Sequence, residues 1–121
     1  MRVGYVVLYV NDAEACRRFW VDRIGMVEKR RTEAGTFTIA QVGFADQPFA
    51  FELVPLELMK DNPDGLDLAT PSIAFAVDDL HAARTELVER GVLASEVGEH
   101  GGTRSFAFAD PEGRWFAVTA G

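Results

Sequence analysis

Hydrophobic and polar positions along the chain change period in a regular way, and the changes mark the elements. Val3 to Val10 is β-branched and aromatic and reads as a strand ending at Asn11-Asp12. From Ala13 the spacing turns helical, with Cys16, Phe19 and Trp20 at i, i+3 and i+4. Asp12 can cap this helix by accepting from free amides of its first turn, and Gly25 can close it. Strands are predicted at Val27 to Glu33, Thr36 to Gly43 and Phe49 to Val54, separated by Ala34-Gly35 and by Ala45-Asp46-Gln47-Pro48. The stretch 55–71, with three prolines and three aspartates, reads as a linker holding a turn of helix near Glu57 to Lys60.

The same order then starts again. Ser72 to Val77 is a predicted strand, Asp78-Asp79 a cap, and Leu80 to Arg90 a helix stopped by Gly91. Strands follow at Val92 to Val97, Thr103 to Ala109 and Arg114 to Thr119, the last two joined by the tight-turn sequence Asp110-Pro111-Glu112-Gly113. An offset of 67 residues lays Val10 on Val77, Asp12 on Asp79, Ala15 on Ala82 and Arg17 on Arg84. The identities coincide with a repeated βαβββ order, which points to an internal duplication. The expected organisation is one α+β domain over residues 1–121, with modules at about 3–54 and 72–119.

Composition narrows the function classes. A formal charge of −7 on 121 residues sets up a field that repels a phosphate backbone, so no nucleic-acid partner is expected. No apolar run approaches the ~20 residues of a membrane span, and no signal-peptide pattern opens the chain, so a cytoplasmic protein without a membrane partner is expected. One cysteine, Cys16, can form neither an internal disulfide nor a cysteine-rich metal site.

The segment Tyr5-Val6-Val7-Leu8-Tyr9-Val10-Asn11-Asp12 with Ala15, Phe19-Trp20 and Ile24-Gly25-Met26, followed by Ile73-Ala74-Phe75-Ala76-Val77-Asp78-Asp79-Leu80 and Asp110-Pro111-Glu112-Gly113-Arg114, resembles the vicinal oxygen chelate superfamily. That superfamily holds glyoxalase I, extradiol dioxygenases and bleomycin resistance proteins. The resemblance runs from about Val3 to Thr119 and implies paired βαβββ modules whose curled mixed sheets surround a pocket. Metal-dependent members place four His or Glu ligands there, two per module. The matching positions here hold Tyr5 and Glu52 in the first module and Ser72 and Ala117 in the second. Only Glu52 is a family-type ligand, so no metal and no cofactor are expected.

Those positions also assign faces, because strand side chains alternate with period 2. Tyr5, Val7 and Tyr9 then face the pocket, as do Ala50, Glu52 and Val54, then Ser72, Ala74 and Ala76, and Trp115, Ala117 and Thr119. Leu8, Val10, Phe51, Leu53, Phe75, Phe116 and Val118 face the helices. Small residues leave volume and aromatics give flat apolar contact, as ligand pockets do.

The expected ligand-binding set is Tyr5, Val7, Tyr9, Phe37, Glu52, Ser72, Ala74, Arg104 and Trp115. Glu52 reads as a counter-ion for a cation, as a general base, or as a family remnant bonded to neighbouring hydroxyls. Tyr5, Tyr9 and Trp115 can stack a planar or cationic group or simply fill space. Phe37 can line either face. Arg104 suits an anionic ligand group or a surface ion pair. His81 reads as solvated, and His100 as a loop residue with a ligand or base role as the alternative. The reading that results is a homodimeric, bleomycin-resistance-type protein that sequesters an apolar or cationic compound. The alternatives are a glyoxalase- or dioxygenase-like enzyme using an atypical metal site, and a module whose pocket has collapsed.

Overall fold

A computed structural model describes residues 1–121, the side chain of His100 excepted. The chain divides into two compact units, Met1–Thr70 and Pro71–Gly121, each built on one four-stranded sheet.

In the first unit the strands are β1 (Val6–Val10), β2 (Val27–Ala34), β3 (Phe37–Gly43) and β4 (Phe51–Pro55), ordered β1-β4-β3-β2 with β1 and β4 parallel. Helix α1 (Ala13–Arg18) leaves β1 through Asp12, whose Oδ1 accepts from the Ala15 amide at 3.0 Å. It continues as a π-helical stretch, Phe19–Ile24, closed by Gly25 at φ 96°. The wider i→i+5 winding lowers the angular step between neighbours, so the adjacent Phe19 and Trp20 both turn into the core. Trp20 meets Phe51 edge-on at 5.0 Å and Phe19 at 5.3 Å. Leu8, Val10, Val42, Phe51 and Leu53 complete this side of the sheet, with Cys16 buried among them as a small apolar residue.

The second unit repeats the plan with β5 (Ala74–Val77), α2 (Leu80–Glu89), β6 (Gly98–His100), β7 (Thr103–Ala109) and β8 (Trp115–Ala120), ordered β5-β8-β7-β6 with β5 and β8 parallel. Asp79 caps α2 as Asp12 caps α1, accepting from Ala82 at 3.0 Å. Its core is aromatic: Phe108 stacks on Phe116 at 5.7 Å, and Phe75 lies 5.8 Å from Phe108. This is the expected α+β fold of two βαβββ modules with mixed sheets.

Two local expectations are corrected, and a third, the turn of helix, is refined. The first strand begins at Val6 rather than Val3, leaving Tyr5 before it. The turn of helix after β4 is a short 3₁₀ stretch, Leu56–Met59. The strand expected at 92–97 is a single bridge, Ala94 to Phe108, and regular pairing waits until β6. Ser95 explains the break: its Oγ accepts from the Ala107 amide at 2.9 Å while its own amide donates to Ala107 O at 2.8 Å. A side chain has taken a place in the ladder that a backbone carbonyl would hold.

Candidate functional site

Each sheet has one face covered by its helix and one left open, and the register fixes which residues share the open face. In the first unit Val7 stands opposite Glu52, Glu52 opposite Gln41, and Gln41 opposite Arg30. Directly opposed residues point the same way, so these four form one cross-sheet row. Tyr9, paired with Val54, lies on the same face one step along, half-buried. Tyr5, at the approach to β1, is 47% exposed.

Glu52 is half-buried, and its Oε1 accepts from Gln41 Nε2 at 3.1 Å. The bond uses one of the two Nε2 protons on the carboxylate and leaves Gln41 Oε1 and Glu52 Oε2 as acceptors. A group bearing N–H donors, above all a cation, is what such a pair receives. Gln41 is absent from the residues expected from sequence. The alternation of Phe37, Ile39 and Gln41 against Thr38, Ala40 and Val42 was the available signal, but nothing in it said which set faced the helix.

In the second unit the open face is built mostly of small residues. Ala74, Ala117 and Ala107 form one row, and Ala76, Thr119 and Ser105 the next. Trp115 stands opposite Ala109 at the start of β8 and is 51% exposed. Ser72 precedes β5 and is exposed. Arg104 differs from the other expected residues of this unit. It is next to Ser105 in β7 and therefore on the α2 side, where its Nη2 lies 2.5 Å from His81 Nε2. The side chain of His100 lies outside the described residues.

Phe37 opens β3, half-buried, and lines a cavity of about 510 Å³ beside the start of α1 together with Asn11, Glu14, Arg17, Thr38 and Pro55. Arg17 and Glu14 pair there through two hydrogen bonds, Nε–Oε2 at 2.9 Å and Nη2–Oε1 at 2.6 Å. The Arg17 hydrogen bond holds the Glu14 carboxyl below its ordinary value.

The donor chemistry at the implied metal positions does not suit a divalent ion. The first unit offers the Glu52 carboxylate, already bonded to an amide, and a phenol before the strand. The second offers a hydroxyl at Ser72 and a methyl at Ala117. Among the described residues no three His, Cys, Asp or Glu side chains gather as a metal site. A divalent metal needs three or four converging N, O or S donors.

Comparison with known proteins agrees with the architecture. Residues 2–118 match the profile of the Glyoxalase/Bleomycin resistance protein/Dioxygenase superfamily. Among solved structures the chain is similar to UcmS2, with TM-score 0.81 and 19% identity over 100% of this chain and 98% of that one. It is also similar to TnmS3, an antibiotic binding protein from Streptomyces sp. CB03234, with TM-score 0.79 and 20% identity over 99% and 95% of the two chains. A superfamily member from Sphaerobacter thermophilus DSM 20745 gives TM-score 0.82 and 20% identity over 100% and 98%. A search of curated proteins finds no match. Among the described residues no helix is long and apolar enough to cross a membrane.

Proposed function

The chain belongs to the Glyoxalase/Bleomycin resistance protein/Dioxygenase superfamily, and from that membership we propose that it is a small-molecule-binding protein of the bleomycin-resistance type. It sequesters an apolar or cationic compound without a metal, and occupancy rather than turnover is its activity.

The observation that carries this reading is Glu52 on the open face of the first sheet. Of the four implied ligand positions it alone holds a family-type ligand, and its partner is the Gln41 amide. A carboxylate held by an amide, with Val7 beside it and Tyr9 on the same face, offers a cation a charge, acceptors and an aromatic surface. The alanine row and Trp115 of the second unit offer an apolar surface of the kind that planar compounds bury. The antibiotic binding stated for TnmS3, which shares the fold, supports the same class of role. The net charge of −7 favours approach of a cation. On this reading the modules at about 3–54 and 72–119 make one binding domain, and the chain acts as a homodimer, which sedimentation at micromolar concentration tests directly.

A thermal-shift screen of chelator-treated protein against planar organic cations, neutral aromatics and small acids tests the proposal. A compound that binds the native state raises Tm, by an amount equivalent to about 2.7 kcal/mol at a hundred times Kd. Stabilisation by cations or neutral aromatics in the absence of metal is the expected result. Stabilisation that appears only after a divalent metal is restored contradicts it.

A further inference from the structure

The basic run Lys29-Arg30-Arg31 at the start of β2 is divided by the fold into three separate roles. Lys29 ties down the turn between β3 and β4, donating its ammonium protons to Gln47 O and, at 3.1 Å, to Phe49 O. Arg31 stands opposite the buried Ala40, on the α1 side, and pairs with Glu28 at 2.8 Å. Arg30 stands opposite Gln41, on the open face, and makes no hydrogen bond or ion pair with any described residue.

A β-bulge creates this arrangement. Glu28 pairs with Val42, a core residue, so Glu28 is on the α1 side. Strict alternation would put residue 30 on that side as well. The register shifts between Glu28 and Arg30, leaving Lys29 as the extra residue, and Arg30 crosses to the open face. Re-aiming a side chain is what such bulges do. The same shift returns Arg31 to the face of Glu28, which is why those two can pair.

The row on the open face therefore reads Val7, Glu52, Gln41, Arg30: an acid, an amide and a base on three successive strands. Adjacent strands lie 4.7–4.9 Å apart, so the backbones at Glu52 and Arg30 are separated by roughly 10 Å. The two charges are not paired with each other, and Gln41 is committed to the acid. Glu52 Oε2 and the Arg30 guanidinium remain as one acceptor and one donor fork of opposite sign in a line.

We propose that this row selects an amphoteric small molecule, a cationic N–H donor seated on Glu52 and a carboxylate or similar oxyanion on Arg30. The inference rests on the small-molecule-binding reading and specifies its ligand class. Gln41 acts as a positioning residue, holding the Glu52 carboxylate and spanning the gap with its amide. Arg30 supplies the bidentate geometry that carboxylates favour.

Ligand-observed NMR titration with three probes tests it: 4-(aminomethyl)benzoate, benzylamine and benzoate. The amphoteric probe is expected to bind about three- to tenfold tighter than benzylamine, the range an exposed but well-formed arginine–carboxylate pair gives. Arg30→Leu brings that ratio to about one. Arg31→Leu, on the other face, keeps the wild-type ratio. A wild-type ratio near one with benzylamine still bound overturns the amphoteric assignment and leaves the binding reading standing, with Arg30 then serving only as a charged guard on an edge strand. An unchanged ratio in Arg30→Leu overturns it as well. Failure of both amines to bind overturns the binding reading of this face itself.

Discussion

Gln41 donates from Nε2 to Glu52 Oε1 at 3.1 Å across the β3–β4 pair, one strand from where the family would place a metal. The bond gives the carboxylate a neutral partner from its own sheet. Gln41→Leu removes that partner while leaving Glu52 half in water. We expect a loss of about 1 kcal/mol in urea unfolding, in keeping with one hydrogen bond at a partly solvated site. A loss below about 0.3 kcal/mol would mean that water replaces the amide without cost.

The Asp110 carboxylate organises the turn into β8. Its Oδ1 accepts from the Glu112 and Arg114 amides, both at 2.9 Å, and its Oδ2 from Arg114 Nη1 at 3.1 Å. The Asp110 side chain is fully buried. Burial alone would lower the Arg114 pKa, but hydrogen bonds to Glu112 and Asp110 outweigh it and raise the value above that of an ordinary arginine. Asp110→Ala leaves two amides without their acceptor and the Arg114 guanidinium with Glu112 as its remaining carboxylate, at 2.9 Å. A destabilisation of about 2–4 kcal/mol is expected by chemical denaturation.

Gly43, at the end of β3, is required by space. A Cβ there would stand 2.2 Å from Phe49 O and 3.1 Å from Lys29 Cε. The carbonyl is backbone and cannot swing aside, so Gly43→Ala should cost about 1–3 kcal/mol. Gly35 supplies the control. A Cβ there would meet nothing within 4 Å, and its φ is 66°, a conformation that asparagine tolerates, so Gly35→Asn should cost under about 1 kcal/mol.

The Glu14–Arg17 pair makes a signed pH prediction. The hydrogen bond from Arg17 lowers the folded-state pKa of Glu14, and the Arg17 value rises in turn. A depressed carboxyl contributes stability above its unfolded pKa, about 4.3, and loses it as pH falls through the folded value. Glu14→Gln should therefore be slightly less stable than wild type at pH 7, with the difference vanishing in acid. Both side chains are solvated, so the effect at pH 7 stays within about 0.5 kcal/mol. A difference that grows on acidification would contradict the assignment.

Much of the fold was legible because its signals are local. Asp12 and Asp79 announced their caps, Gly25 its helix end, and the period-2 alternation placed Leu8, Phe51 and Leu53 against a helix. Three features depended on hydrogen bonding that side-chain spacing does not encode. The π-helical winding at Phe19–Ile24 uses the same apolar residues an α-helix would. Ser95 displaced the strand expected at 92–97 through its own hydroxyl. The bulge at Lys29 changed the face of every residue after it, so Arg30 had no reading as a site residue. Arg104 was a candidate by residue type, and its register next to Ser105 puts it beside His81. Glu52 was a candidate because the resemblance indicated its position; its partner Gln41 required the register between β3 and β4, which the turn at 45–48 leaves open in sequence.

In the proposed function, binding runs through Glu52 and needs no metal. Isothermal titration of the best planar cation from the screen, against chelator-treated wild type and Glu52→Gln, tests it most directly. Wild-type affinity should be unchanged by added Zn²⁺ or Mg²⁺, and binding should be at least tenfold weaker in Glu52→Gln, as expected when a charge-assisted contact of about 1.5–3 kcal/mol is lost. Binding that appears only with metal, or that is equal in Glu52→Gln, would contradict it.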